Sequence, residues 1–102
     1  MRMLQLRLQI IVNDLCKGLQ LPHCKVRLEQ KSDTNRGIYH MRWKDITIFK
    51  CVDGNMQSYE QLIEAINHEL AHHYQFIKYG QTSHDEQFEE SLKIIENSSI
   101  NH

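Results

Sequence analysis

Hydrophobic residues return every third or fourth position near the start of the chain, which is the period of an amphipathic helix. This pattern predicts a helix from residue 2 to about residue 19, and Gly18 and Pro22 indicate where it ends. One face of the helix is expected to lie on the core. Its apolar residues are Leu4, Leu8, Ile11 and Leu15.

The next part of the chain changes to the two-residue alternation of β-strands. KVRLEQ (25–30) alternates apolar with charged residues, as a half-buried strand does. GIYHMRW (37–43) and DITIFKC (45–51) are rich in β-branched and aromatic residues and predict two further strands. The following VDGNMQS is expected to be a loop.

The helical period returns in the second half of the chain and predicts two more helices. Ser58 caps the first of them, which extends to about Tyr79 and ends at Gly80. The order of elements is therefore α-β-β-β-α-α, which predicts an α+β fold with a small three-stranded sheet. A chain of 102 residues has room for one core, so we expect a single domain over residues 1–102.

The last helix is predicted from its capping residues. Ser83 is followed three residues later by Glu86, which matches a capping box and makes His84 the first helical residue. His84 then shares a face with three apolar residues of that helix and should point inward, toward the preceding helix. These residues are Phe88, Leu92 and Ile95.

Charge and cysteine content narrow the function classes. Twelve basic and thirteen acidic residues give a formal net charge of −1, so there is no general attraction to nucleic acid or to an anionic membrane. No stretch has the continuous apolar run of a signal peptide or a membrane span. Three cysteines without a CxxC pair are expected to be reduced, buried thiols of a cytoplasmic protein. A zinc cluster of His23, Cys24 and another cysteine is the alternative.

The segment HELAH (68–72) places a glutamate between two histidines that are four residues apart. A shuffled chain of this composition would contain HExxH about once in thirty, so the motif needs support from its context. Side chains four apart on a helix differ by about 40° in direction and about 6 Å along the axis, so His68 and His72 can share one ion. The opposite face is apolar, which favours metal ligands over core histidines. That face carries Leu62, Ile63, Ile66, Leu70, Tyr74 and Ile77.

Glu69 and a third ligand complete the expected site. Glu69 lies about 60° around the helix from His72, beside the ion rather than in its coordination sphere, which is the place of a general base. A solvated surface glutamate is the alternative. A catalytic zinc needs a third protein ligand and an open position, and His84 is the candidate. Glu89 and Glu90 are the rivals, although both lie off the apolar face of the last helix.

Together these residues resemble the SprT-like and WLM groups of zinc metallopeptidases, which join HExxH to a later histidine in a motif such as HGxxF or HDxxF. Here HELAH supplies the first part and HDEQF (84–88) the second. RGIYHMRWKDITIF also looks like the strand pair that precedes the active-site helix of these groups. The resemblance covers about residues 36–95. Eleven residues separate His72 from His84 and no glycine flanks His84, so the motif does not decide between the SprT-like and the WLM group.

The resemblance implies a minimal zincin-like fold that binds one Zn²⁺ per chain. It implies that the zinc ligands are His68, His72 and His84, that Glu69 is the general base or acid, and that Phe88 packs behind the third ligand. Zinc would lower the pKa of a water to about 7, and Glu69 would take its proton as the water attacks a peptide carbonyl.

The implied function is that of a zinc-dependent metallopeptidase, an endopeptidase that acts on a protein or peptide substrate. The alternative is a zincin-fold metal-binding or regulatory module with little or no turnover, although such a module would not need Glu69. Nucleic acid is a further partner implied by the family's association with DNA–protein crosslinks, and the near-neutral charge does not support it. The oligomeric state stays open.

Several further side chains have two interpretations. Substrate is expected to bind as an extended strand on an exposed sheet edge. Trp43 and Phe49 are expected in the core, with a place beside that substrate as the alternative. The tail with His102 is expected to be a harmless terminus, with a cap on the metal as the alternative. Tyr39, His40, His73, Tyr74 and Tyr79 are available as oxyanion-stabilising donors, but each is expected to be an ordinary packed or exposed residue, and none is assigned.

Overall fold

A computed structural model describes residues 2–99 of the chain, so the tail residue His102 lies outside the described residues. Within this range there are three helices and four strands. The predicted α+β layout, with an N-terminal helix, a small sheet and two C-terminal helices, is confirmed. The elements are α1 (Arg2–Gly18), β1 (Lys25–Ser32), β2 (Gly37–His40), β3 (Asp45–Val52), β4 (Asn55–Met56), α2 (Tyr59–Tyr79) and α3 (Glu86–Ser99).

The sheet is mixed, with the strand order β1-β3-β2 and with β4 paired to β3. β1 runs parallel to β3, whereas β2 and β4 run antiparallel to it. Alternate side chains at the start of β1, Val26 and Leu28, are buried, because successive residues of a strand face opposite sides. β3 is buried on both faces over its first four residues. β2 is an edge strand of this sheet and contacts α2.

All three helices contribute fully buried side chains to the core. Leu8 and Val12 come from α1, Ile66 and Leu70 from α2, and Ile95 from α3. Burial of each such side chain stabilises the fold by about 1.5–3 kcal/mol. Among residues 2–99, no helix combines the length and the apolar character that a bilayer crossing requires.

The second strand is shorter than predicted. β2 ends at His40, and residues 41–44 form a turn in which the Lys44 N–H donates to the His40 carbonyl at 2.7 Å. Lys44 has a φ of 53°, in the left-handed region that interrupts a strand. The prediction that Trp43 is a core residue in this strand was wrong, because the turn leaves Trp43 68% exposed. Phe49 is half-buried.

The segment predicted as a loop after β3 contains a hairpin. Asp53 and Gly54 have φ values of 49° and 78°, and a two-residue turn of type I′ requires positive φ at both positions. The turn lets the short strand β4 pair with β3. Because Asp-Gly is a strong hairpin signal, the sequence contained this information. β1 also extends to Ser32, two residues beyond its predicted end.

The start and end predicted for α2 are confirmed. The Ser58 side chain accepts a hydrogen bond from the Gln61 N–H, and the Gln61 side chain accepts one from the Ser58 N–H, so the two residues form a capping box. Gly80 ends the helix in the left-handed conformation, with a φ of 78°. A side chain would strain that backbone, which explains the glycine.

The third helix begins later than predicted. Asp85 Oδ1 accepts hydrogen bonds from the N–H groups of Gln87 at 3.0 Å and Phe88 at 3.2 Å, so Asp85 is the capping residue. The predicted capping box from Ser83 is wrong, because the Ser83 hydroxyl instead donates to Asp85 Oδ2 at 2.7 Å. His84 therefore lies in the segment before α3 and is not its first residue.

The apolar face predicted for α2 is only partly buried. Leu70 is fully buried, whereas Ile63 and Tyr74 are half-buried and Ile77 is 38% exposed. The end of the predicted apolar stripe, at Ile77, therefore faces solvent.

Replacement of Leu70 by alanine is expected to lower the free energy of unfolding by about 2–5 kcal/mol, because it leaves a cavity in a closed part of the core. The matched change Ile77→Ala, on the same helix, should cost about 1 kcal/mol or less. Urea denaturation of both variants measures the difference. Equal losses would contradict the burial described for α2.

Candidate metal centre

Three histidine side chains meet between α2 and the segment before α3. His68 and His72 lie on successive turns of α2, and His84 lies between the two helices. One nitrogen of each ring belongs to a group of atoms that all lie within 4.8 Å of one another. The structure thus brings together the three residues that the sequence predicted as metal ligands.

The donor set and its spacing fit a transition-metal ion. In a tetrahedral site with zinc–nitrogen bonds of about 2.0–2.1 Å, two ligand nitrogens lie about 3.3–3.4 Å apart. The Nε2 atoms of His68 and His84 are 3.3 Å apart. Three imidazoles suit zinc and its neighbours in the first transition series. His72 is buried and His84 is exposed, so the cluster is reached from solution on the His84 side.

Phe88 of α3 packs against one side of the histidine cluster. Its ring centroid lies 4.8 Å from that of His68, 4.6 Å from that of His72 and 4.9 Å from that of His84. Phe88 is itself only 3% exposed. One aromatic ring therefore contacts all three imidazoles and closes one side of the cluster to water.

A buried amide connects His72 to the segment that carries His84. Gln75 Nε2 donates to the Ser83 carbonyl at 2.9 Å and to Asp85 Oδ1 at 3.2 Å, and both of these partners only accept. The other end of the amide, Oε1, therefore faces His72 Nδ1 at 3.4 Å and accepts a hydrogen bond from its N–H. This arrangement leaves His72 Nε2 without a proton, in the form that binds a metal.

Burial keeps two of the imidazoles neutral. The pKa of His72 is lowered to about 4, chiefly by desolvation; the hydrogen bond with Gln75 opposes this shift, and the neighbouring histidines contribute to it. Desolvation also lowers the pKa of His68, with His84 adding to the effect and Glu89 opposing it. Neutral imidazole is the form that coordinates metals, so these two rings are ready to bind at neutral pH.

Glu69 is buried beside the cluster, with 7% of its surface exposed, and so it is not a solvated surface glutamate. Desolvation raises its pKa to about 7, while a hydrogen bond with the Tyr39 backbone has the opposite effect. Gly37 of β2 allows the strand to approach this closely. A Cβ on Gly37 would lie 3.1 Å from Glu69 Cγ and 2.8 Å from Ile48 Cδ1.

His73 is fully buried, and the sequence did not predict the two hydrogen bonds that it makes. Its Nε2–H donates to the Pro22 carbonyl at 3.0 Å, so its Nδ1 accepts from the Tyr39 hydroxyl at 2.7 Å. These bonds tie α2 to β2 and to the segment after α1, and they occupy the Tyr39 hydroxyl. The signal was present, because His73 lies three residues after Leu70 and seven after Ile66, on the apolar stripe.

The other candidates for an oxyanion donor also have partners or positions away from the cluster. His40 Nε2 lies 3.3 Å from Thr47 Oγ1. The Tyr79 hydroxyl donates to Glu90 at 3.2 Å, and Tyr74 packs against the core. No oxyanion donor is therefore assigned.

The two carboxylates considered as rivals of His84 do not join the cluster. Glu90 accepts hydrogen bonds from Lys78 Nζ at 3.3 Å and from the Tyr79 hydroxyl. Glu89 is exposed and acts on His68 only through its charge. In the described range, the group of side chains placed to hold a metal consists of the three histidines.

The cysteines do not build a second metal cluster within residues 2–99. All three are free, and Cys16 and Cys24 are buried. Burial raises the pKa of Cys16 to about 11 and raises that of Cys24 as well, so both are protonated thiols at neutral pH. His23 is exposed and does not join them. The alternative zinc cluster from these residues is not formed.

A cleft runs between the edge strand β2 and α2, and the histidine cluster lines it. The cleft consists of two adjoining cavities of about 350 and 400 Å³. One extends toward Arg36 and Glu64, and the other toward Thr82 and His84. The residues that line both cavities are Asn35, Gly37, His68 and Glu69.

Comparison with known protein families gives one match. The family model described as the SprT-like family matches residues 5–101, which includes the three histidines, Glu69 and Phe88. Of the two groups that the sequence resembles, this match identifies the SprT-like one. No curated protein and no solved structure matches the chain.

Replacement of Gln75 by leucine is expected to weaken metal binding about 10- to 100-fold, because His72 and the Ser83 carbonyl both lose their partner. Titration with Zn²⁺ against a chelator of known affinity measures the change. The matched control is Gln87→Leu on α3. The Gln87 side chain accepts a hydrogen bond from Gln81, away from the cluster, so this variant should bind Zn²⁺ as tightly as the unmodified chain. Equal affinities in the Gln75 variant and the unmodified chain would contradict the proposed connection.

Proposed function

The chain belongs to the SprT-like family, and from that premise we propose that it is a zinc-dependent metallopeptidase that cleaves peptide bonds within a protein or peptide substrate. One observation carries the proposal. Three imidazoles converge to within 4.8 Å beside a buried carboxylate, in a cleft that opens to solvent. Three histidine ligands with an open coordination position are typical of catalytic rather than structural zinc sites.

His68, His72 and His84 would hold the zinc, and Phe88 would keep their rings in place from below. When bound, Zn²⁺ supplies Lewis acidity, which polarises a peptide carbonyl and makes water more acidic. Because the imidazoles carry no charge, the ion would keep its full positive charge at the site. Gln75 supports this arrangement by holding the His72 ring in one tautomer.

Glu69 would act as the general base and then as the general acid. A carboxylate oxygen accepts a proton from the attacking water, and the same group passes the proton to the amine that leaves. Burial raises the pKa of Glu69 to about 7, close to neutral pH, and a group with such a pKa can both accept a proton and give it up. The hydrogen bond with the Tyr39 backbone would hold the carboxylate in place during the transfer.

The substrate would bind as an extended strand along β2. This strand lies at the edge of the sheet and borders both cavities of the cleft, so its outer backbone groups are placed to pair with a peptide. Such pairing would hold the scissile bond next to Glu69, because the backbone of Tyr39 in β2 already contacts that carboxylate.

A metal-binding module without useful turnover is the second candidate. It would use the same three histidines, and their convergence alone supports it equally well. Glu69 favours the peptidase, because burial of a carboxylate costs free energy and a module that only binds metal gains nothing from it.

Replacement of Glu69 by glutamine is expected to leave one zinc per chain and to lower the cleavage rate at least about 100-fold, because the amide cannot accept the proton. The matched control is Glu64→Gln, at an earlier position of α2 that lines the same cleft with an exposed carboxylate. Mass spectrometry of a digested peptide library, together with metal analysis, measures both quantities.

The control variant should cleave at the rate of the unmodified chain. Cleavage that survives in the Glu69 variant would exclude this residue as the base. A zinc-loaded, unmodified chain that cleaves no peptide in the library would favour the module without turnover.

A further inference from the structure

A basic surface lies beyond one end of the cleft, around the turn that joins β2 to β3. We name it the Trp43 surface. With the exception of Arg42, its residues line a cavity of about 460 Å³. The surface consists of His23, Lys25, Arg27, Arg42, Trp43 and Lys44.

The Trp43 surface concentrates positive charge in a chain with a slight negative balance. It holds four of the twelve Lys and Arg residues, whereas one of the thirteen Asp and Glu residues, Asp45, lines its cavity. Asp45 is 6% exposed and its carboxylate lies 3.5 Å from the Arg27 guanidinium, so it partly neutralises the charge of Arg27 from the buried side. In the described part of the chain, Lys25, Arg42 and Lys44 make no ion pair with a carboxylate. Their charges can attract an anion.

Trp43 adds a large apolar face to these charges. Its side chain is 68% exposed, and the Arg42 guanidinium carbon lies 5.0 Å from the ring centroid. Tryptophan and arginine are the residues that most often dominate binding energy at protein interfaces. The ring can contact the aliphatic part of a bound side chain, while the Lys and Arg side chains around it pair with negatively charged groups.

One side-chain contact links the cleft to the turn that carries Trp43. Thr82 lines the cleft beside His84, and its hydroxyl donates to Met41 Sδ at 3.4 Å. Met41 begins the turn that contains Trp43, and two residues of chain span at most about 7 Å. A peptide that lies along β2 and leaves the cleft at this end therefore passes onto the surface within a few residues of the histidine cluster.

We propose that the Trp43 surface binds an acidic segment of the substrate, to one side of the bond that is cleaved. This inference rests on the proposed function, because it names the kind of substrate that the same cleft receives. Carboxylates pair with lysine and arginine side chains. A short acidic segment fits better than a long polyanion, because most acidic residues of the chain lie outside the surface and would repel an anion that extends past it.

Binding is tested on the full, zinc-loaded chain with Glu69→Gln, which removes turnover. Trp43 is the one tryptophan of the chain, so its fluorescence reports on this surface directly. The probes are a short peptide with a block of glutamates, the same peptide with glutamines in their place, and a thymidine oligonucleotide. The glutamate peptide is expected to bind most tightly, and added NaCl should weaken its binding.

The charge reversal Lys44→Glu is expected to raise the dissociation constant of the glutamate peptide about three- to tenfold. The matched reversal Lys93→Glu, at an exposed position of α3, should leave it unchanged. Equal affinity for the glutamate and glutamine peptides, or equal loss in the two lysine variants, would overturn the proposal. Tighter binding of the oligonucleotide than of the glutamate peptide would also overturn it.

Cleavage by the chain with Glu69 intact is measured separately. A glutamate block beside the cleaved bond should lower KM and leave kcat unchanged, because the surface lies away from the reacting atoms. If no peptide is cleaved, the proposed peptidase function fails, while the fluorescence titration still decides whether the surface binds acidic segments.

Discussion

The candidate centre depends on how the segment between α2 and α3 is held against α2. Gly80 lets the chain turn out of the helix, and the buried Gln75 amide then fixes the segment through the Ser83 carbonyl and Asp85. The third histidine lies between these two contacts. A residue in an exposed segment thus acquires a defined position, because its neighbours on both sides are hydrogen-bonded to the helix that carries the other two histidines.

Burial of the centre has two consequences that support the same chemistry. It lowers the pKa of His72, so that the ring binds a metal without first losing a proton, and it raises the pKa of Glu69 toward neutrality. Both shifts cost stability, because polar groups leave water. The large apolar side chains beneath the sheet offset that cost, and Phe88 joins this core to the cluster by contacting all three imidazoles.

The sequence predicted those features that depend on neighbours along the chain. The histidine spacing on α2 and the end of that helix at Gly80 follow from helical geometry and local capping. Apart from the Asp53–Gly54 hairpin, which had a local signal, the features it missed are set by how the folded chain packs. Asp85 caps α3 because Gln75 and Ser83 hold it there, Trp43 is exposed because a turn replaces the end of a strand, and His73 is buried because Pro22 and β2 meet it. The position of His73 on the apolar stripe of α2 did indicate that this side chain is buried.

The most direct test of this account is X-ray absorption at the zinc edge of the full chain loaded with one equivalent of Zn²⁺. Three imidazole nitrogens, from His68, His72 and His84, are expected at about 2.0–2.1 Å from the metal. A first shell with sulfur, or with two imidazoles and a protein carboxylate, would contradict it.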